Sequence, residues 1–379
     1  MTGRGRALLI LALGTLYSGL SLGGRMFYLS AVFAVLALLF SGACVMLARR
    51  GIEITCMVTP EETPRGEAAH LRIRAESRLP LLISPLRLNV ALGDDSAERI
   101  LPLCRGAGEL VMDIPARHIG ALQAGVTRAE ATDALGLFRL RCGAALRPLL
   151  VLPRSFEVEP LRFLTGEEGR ALPNRSTEDL SSPEDTRAYR SGDALKRIHW
   201  KLSARRRELI VRRFETPAPP DTLVLLDCTA PAGAEQDEDR LRLRDALCET
   251  ALSVAEMQAG RDAPVRVPLY GAQAGEFISD AGGGVGRLAE MLARQPFLGG
   301  TDFPSVLNLE LRRMRRTGAT VIITSQLNAG VVEGVKHIRR MGPAARVYYV
   351  THTPDAPQDR PYIAQLQQSL VEVCYVTPA

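Results

Sequence analysis

Lysine is nearly missing from this 379-residue chain: of its 47 basic residues, only Lys196, Lys201 and Lys336 are lysines. So strong an arginine bias, beside abundant Ala, Gly and Leu, follows the base composition of a gene. The formal charge of +5 is therefore no evidence for a nucleic-acid surface. Cysteine is sparse: Cys44, Cys56, Cys104, Cys142, Cys228, Cys248 and Cys374 are scattered, odd in number and never form C-x-x-C. That excludes a signalled zinc site or disulfide framework and fits a reducing compartment. His70, His118, His199, His337 and His352 are equally dispersed, without H-E-x-x-H, so zinc catalysis is not expected. The phosphate-binding pattern G-x-x-x-x-G-K-[ST] is absent. The run Gly282-Gly283-Gly284-Val285-Gly286 lacks the Lys and hydroxyl that a nucleoside triphosphate needs, and reads as the entry to a helix from Gly286. Tryptophan occurs once, as Trp200, which removes the Cys…Trp…Cys core of a true immunoglobulin domain. What is present, 46% hydrophobic and 23% charged residues, is the composition of a folded chain long enough for two or three domains.

Charge is absent from two stretches near the N-terminus, Ala7 to Leu22 (ALLILALGTLYSGLSL) and Met26 to Ala48 (MFYLSAVFAVLALLFSGACVMLA). Crossing the hydrocarbon core takes roughly 17 to 25 helical residues, so the second spans it and the first does so with its flanks. Gly23, Gly24 and Arg25 alone separate them, which forces an antiparallel hairpin. Gly14, Gly19, Ala31, Ala34 and Ala37 would let the helices approach closely. Arg4 and Arg6 precede the hairpin and Arg49 and Arg50 follow it, so the positive-inside bias places both ends in the cytoplasm. A cleaved signal peptide over residues 1–22 is the competing reading, and no clean A-x-A site supports it.

From Ile52 to Pro153 apolar residues alternate with polar ones (Leu71, Ile73, Ala75; Leu86, Leu88, Val90, Leu92; Leu110, Met112, Ile114), the pattern of short strands in a small β-sandwich. Residues 154–186, rich in Gly, Pro, Asn and Ser, read as a linker. From Thr222 onward the apolar runs LVLLDC, VRVPLY, ATVIITS, ARVYYVT and VEVCYVT alternate with helical stretches at Asp239–Gln258, Gly286–Arg294, Phe303–Arg316 and Gly330–Met341. That alternation predicts a doubly wound parallel sheet covered on both faces. The organisation expected is α/β plus β: a transmembrane helical hairpin at 1–50, a β-sandwich at 51–153, a linker at 154–186, a motif segment at 187–216 and an α/β domain at 217–379.

The motif segment is the densest in the chain. It reads Arg187-Ala-Tyr189-Arg-Ser-Gly192-Asp193-Ala-Leu-Lys196-Arg197-Ile198-His199-Trp200-Lys201-Leu-Ser203-Ala204-Arg205. This resembles the signature R-x-Y-x-x-G-D-x-x-x-R-I-x-W-x-x-S-A-R of the bacterial domain of unknown function fifty-eight family. Asp133-Ala-Leu-Gly136-Leu-Phe138 is similar to the family's D-P-F-G-L-F, departing at Ala134 and Leu135. The resemblance implies a two-helix membrane protein with a β domain and a von Willebrand factor A-like domain, associated with MoxR-type AAA+ ATPases. In such domains a divalent cation sits on D-x-S-x-S after the first strand, with a Thr and an Asp from later loops. Here Asp227, Thr229 and, from Gly299-Gly300-Thr301-Asp302, Thr301 match in part, while Pro231 has no side-chain oxygen for the third position and the Ser325-Gln326 end of ATVIITS supplies no acid. A hard cation wants about six oxygens, so this depleted set would hold Mg²⁺ weakly or not at all, and no cofactor is expected.

Physically, Asp193 is a candidate N-cap of a helix over Ala194–Arg206 whose Leu195, Ile198 and Leu202 would be buried. Trp200 would anchor the segment against a neighbour, so that its removal would be costly and that of Ser203 nearly neutral. Asp193 with Arg187, Arg197 and Arg205 would form ion pairs. The same arginine-rich face could instead dock an acidic partner, nucleic acid or anionic headgroups. A third reading makes Asp193, His199 and Ser203 a hydrolase cluster, although a Ser within a regular helix has neither the strained turn nor the oxyanion hole of a nucleophile. The leading expectation is a non-enzymatic adaptor with its soluble domains in the cytoplasm, acting with a MoxR-type ATPase and other membrane or envelope proteins.

Overall fold

The computed structural model describes residues 1–49, 51–77, 86–93, 95–103, 106–133, 135–159, 185–190, 198–213, 221–231, 237–261, 263–271, 273–279, 284–297, 302–314 and 317–378. They form two compact units, Met1–Leu152 and Pro153–Ala379.

The first unit opens with helices α1 (Gly3–Leu22) and α2 (Arg25–Arg49). Gly23, at φ 69°, ends α1 and returns its N–H to the Gly19 carbonyl, a left-handed stop that glycine takes without strain. Gly5, Ala12 and Gly19, seven residues apart, are buried on α1, and Ala31, Ala34, Ser41 and Cys44 on α2. The large residues Ile10, Tyr17, Leu20, Leu29, Phe33 and Phe40 turn outward. Small residues inside and large apolar ones outside is the reverse of a helix made for water. Both helices are long and apolar enough to cross a membrane.

Among the described residues nine strands follow: β1 (Ile52–Thr59), β2 (Glu62–Pro64), β3 (Ala68–Ser77), β4 (Leu86–Leu92), β5 (Asp95–Leu101), β6 (Ala107–Pro115), β7 (Gly120–Thr132), β8 (Arg139–Cys142) and β9 (Ala145–Leu152). They make one sheet ordered β1-β3-β6 and another ordered β2-β9-β7-β4-β5, with β8 on β7. Period-two alternation fills the space they share. Leu71 and Ile73 of β3, Leu86, Leu88 and Val90 of β4, Ile114 of β6 and Leu149 and Val151 of β9 belong to one buried cluster.

The second unit begins with a small antiparallel pair, β10 (Asp185–Ala188) and β11 (Ile210–Arg213), around the short helix α3 (Trp200–Arg206). Next come β12 (Asp221–Leu226), α4 (Asp237–Ala259), β13 (Val265–Leu269), β14 (Gly275–Ser279), α5 (Gly286–Arg294), α6 (Phe303–Arg313), β15 (Thr317–Thr324), α7 (Ala329–Arg340), β16 (Ala344–Val350), α8 (Arg360–Gln368) and β17 (Glu372–Val376). The sheet order is β14-β13-β12-β15-β16-β17, parallel except for β14, which runs antiparallel at the edge. Leu223, Leu225, Ile322 and Val347 pack against Phe303, Leu307, Val331, Val335, Ile363 and Leu366 of α6, α7 and α8. Val224 and Leu226 alternate to the other face, which α4 covers along β12, β13, β15 and β16. The chain builds outward from β12 to β14, then returns to start again at β15. The carboxyl ends of β12 and β15 therefore diverge, the place where open α/β sheets hold their sites.

Three expectations need correction. Helix α3 starts at Trp200, not Ala194, because His199 takes the capping position, and residues 191–197, with Gly192, Asp193 and Arg197, lie outside the described residues. Edge strand β14 and helix α8 were not anticipated. Part of the stretch read as linker is anchored: Phe156 donates its N–H to Ser253 Oγ at 2.9 Å, and the buried Arg346 donates to the Glu159 carbonyl at 2.7 Å. A guanidinium 2% exposed needs acceptors, and this strap supplies one beside Glu372.

Candidate functional site

At the mouth of the sheet stands Asp227, one residue beyond β12 and 2% exposed. Its Oδ1 accepts from the Thr229 N–H at 3.0 Å and the Thr229 hydroxyl at 2.6 Å, and its Oδ2 accepts from the Thr324 hydroxyl at 2.6 Å. Thr324 closes β15, so this bond ties together the two strands that flank the divergence. Gln326 extends the network: its N–H donates to Thr324 Oγ1 at 3.0 Å and its Nε2 to the Ala230 carbonyl at 2.8 Å. Burial raises the Asp227 carboxyl above its ordinary range; the hydrogen bonds from Thr229 and Thr324 oppose that rise and the charge of Asp302 adds to it. Beside it, burial first and Asp227 second push the Cys228 thiol up to about 12, far from a thiolate nucleophile.

These donors suit a hard cation poorly. Both Asp227 oxygens are committed to protein donors, the Gln326 amide is turned to a backbone carbonyl, and Pro231 has no side-chain oxygen. No group of three His, Cys, Asp or Glu side chains converges among the described residues. Thr301, the expected loop ligand, lies outside them. Thr324 is the residue that sequence reading missed. It looked like the last position of an apolar strand, and only the strand order brings it to Asp227.

The signature segment is built on backbone capture. His199 precedes α3, donates its N–H to the Ile210 carbonyl at 2.8 Å, and accepts the Leu202 N–H on Nδ1 at 3.2 Å. Ser203, 7% exposed, accepts the Ile210 N–H on Oγ at 2.9 Å. Ile198 bridges Val211, both buried, and Tyr189 donates its N–H to Leu209. Thus the two side chains that could form a catalytic pair each accept a backbone amide: His199 caps α3 and Ser203 holds α3 to β11. Trp200, expected to be buried, is 64% exposed. Trp200 is the first residue of α3 and is open to solvent, while Ser203, within the helix, is buried. Leu202 is half-buried, and Arg205 is exposed at the helix end. The backbone of Arg187 pairs with Val211.

Residues 185–350 match the family model described as "Protein of unknown function DUF58". Over that span the chain is similar to this family. The DUF58 match begins with β10 and ends with β16, so it takes in α3, Asp227 and Thr324 and leaves residues 133–138 outside. The search of curated proteins gives no match. Among solved structures, the CARDB domain of the PF1109 protein from Pyrococcus furiosus, in complex with di-metal ions, aligns at 10% identity and TM-score 0.21 over 26% of this chain and 91% of that one. Pseudomonas fluorescens alkylpurine DNA glycosylase AlkC, bound to DNA containing an abasic site analog, aligns at 17% and 0.18 over 35% and 42%. Cwp6 from Clostridium difficile aligns at 12% and 0.15 over 86% and 53%. Scores this low bear on neither fold nor function.

Proposed function

We propose that this chain is a membrane-anchored adaptor whose DUF58 segment engages protein partners and performs no catalysis. In this reading α1 and α2 cross the bacterial inner membrane with both ends in the cytoplasm. The outward apolar surface of the hairpin and the Arg4, Arg6 and Arg49 flanks support that placement. The α/β sheet is read as a doubly wound, von Willebrand factor A-like domain, supported by its centre-out strand order and antiparallel edge. A MoxR-type AAA+ ATPase is the partner the family resemblance implies, and Mg²⁺ is given no part.

The observation that carries the adaptor over a hydrolase is the commitment of His199 Nδ1 and Ser203 Oγ to backbone amides. A nucleophile and its base must be free to meet a substrate and each other. Trp200, exposed between them in sequence, is the side chain left to a partner, and exposed tryptophans are strong anchors of interfaces. A photoreactive residue placed at Trp200 in the full chain, crosslinked in native membranes and analysed by mass spectrometry, tests the reading. Recovery of a MoxR-type ATPase is the expected result; adducts confined to lipid or to the chain itself would overturn it.

A further inference from the structure

A loop, described at Asp133 and at residues 135–138, joins the sandwich to the hairpin by hydrogen bonds. Asp133, 2% exposed, accepts the Ser41 hydroxyl of α2 on Oδ2 at 2.5 Å, and also takes the Leu135 and Phe138 N–H groups at 3.1 and 2.6 Å. Thr2, capping α1, donates its N–H to the Leu137 carbonyl at 2.9 Å and its hydroxyl to Gly136 at 2.7 Å. A Cβ on Gly5 would collide with the Leu137 carbonyl, so the loop backbone lies directly on the first turn of α1.

Helical rise fixes the depth of these contacts. Counted from the Gly23-Gly24 turn, Ser41 lies about 24 Å along α2 and Thr2 about 31 Å along α1. The hydrocarbon core is about 30 Å thick. With the turn at one boundary, the loop sits at the other, in the layer of headgroups and first methylenes. Leu135 is 50% exposed there.

Next to the loop the outer face of the larger sheet is crowded with arginine. Arg139 and Arg141 of β8 and Arg128 of β7 all pair with the single carboxylate of Glu130, and Arg87 of β4 stands opposite Glu130 across the ladder. Among the described residues this leaves a clear excess of positive charge, with Arg139 adjoining the loop and Arg141 and Arg87 within about 10 Å of it by strand rise. That distance is about one Debye length, so these charges feel a membrane surface.

We propose that the loop and this arginine face form a lipid-binding rim: Leu135 enters the acyl layer while Arg87, Arg139 and Arg141 bind the phosphates of anionic lipids. The rim rests on the membrane reading of the hairpin. It is a surface distinct from the DUF58 segment and orients the sandwich on the bilayer.

The test places p-benzoylphenylalanine at Leu135, at Phe33 in the outward face of α2, and at Val111, an exposed apolar position on the other sheet, in the full chain. Each variant is reconstituted in nanodiscs of phosphatidylcholine with a minority of phosphatidylglycerol. Lipid adducts are expected at Leu135 and Phe33 and not at Val111. Phosphatidylglycerol among the Leu135 adducts should be enriched about twofold over its bulk share and fall to that share in R87Q/R139Q/R141Q. Adducts at Phe33 without any at Leu135, or no enrichment at Leu135, would overturn the rim and leave the membrane reading standing. No adducts at Phe33 would overturn the membrane reading and the rim with it.

Discussion

Asp133 and Asp227 invite comparison: each is 2% exposed and each accepts three hydrogen bonds, yet they are built to tolerate different things. Asp133 satisfies two backbone amides of a loop and a hydroxyl from a helix 92 residues away. Asp227 takes one amide and two hydroxyls, and hydroxyls rotate. Thr324 Oγ1 lies 3.0 Å from the Gln326 carbonyl, so it has a second acceptor ready. One carboxylate is a rivet, and the other is a polar plug in the mouth of a sheet.

The largest effect should follow from breaking the rivet. Asp133→Ala strands the Leu135 and Phe138 amides and the Ser41 hydroxyl, and should destabilise the first unit by about 2 to 4 kcal/mol. Unfolding of the purified chain in detergent micelles checks this; a melt like wild type would mean that the loop is held by something else. Ser203→Ala comes next, at about 1 to 3 kcal/mol, because it leaves the buried Ile210 amide without an acceptor. This revises the near-neutral cost expected of a serine on a plain helix, and a melt indistinguishable from wild type would restore it.

Asp227→Asn should be close to neutral at pH 7, since Asn keeps the acceptor for Thr229 and Thr324 can turn to Gln326. Its pH dependence sharpens the contrast. A carboxyl raised by burial contributes stability that is complete below the ordinary carboxylate range and is lost as pH rises through the folded value. Wild type should therefore gain on Asp227→Asn as pH falls from neutral towards about 4. A constant gap between the two melting curves would show that the carboxyl does not titrate in this range. Smallest of all, Trp200→Ala should change stability by less than about 0.5 kcal/mol, the usual effect at an exposed position. A cost of several kcal/mol would return Trp200 to a core.

How much could be read beforehand follows the range of each interaction. The hairpin was legible because charge-free runs and a three-residue turn are local facts. The strands of the central sheet were legible as apolar runs for the same reason. Strand β14 escaped because Gly275 and Glu276 dilute its pattern and an edge strand has only one neighbour to satisfy. Helix α8 carried a start signal, Pro361 in its first turn, that reading for apolar runs passed over. At the sites, the residues singled out were local and their partners were not. Asp227 was marked, yet Thr324, 97 residues on, could not be paired with it without the strand order. The signature segment misled in the other direction. Asp193 looked like a cap because acidic residues often are, whereas at the start of α3 the His199 imidazole does that work, and Trp200 beside it is exposed.

The central claim is that the signature segment holds structure and presents a surface, without catalysing a reaction. His199→Asn tests it most directly, because asparagine is a strong N-cap acceptor for the Leu202 amide but cannot act as an imidazole base. The measurement is complementation of a strain lacking the gene, alongside the melt of the purified variant. The account predicts a melt within about 0.5 kcal/mol of wild type and full complementation. A variant that melts like wild type and fails to complement would contradict it and make His199 a catalytic residue.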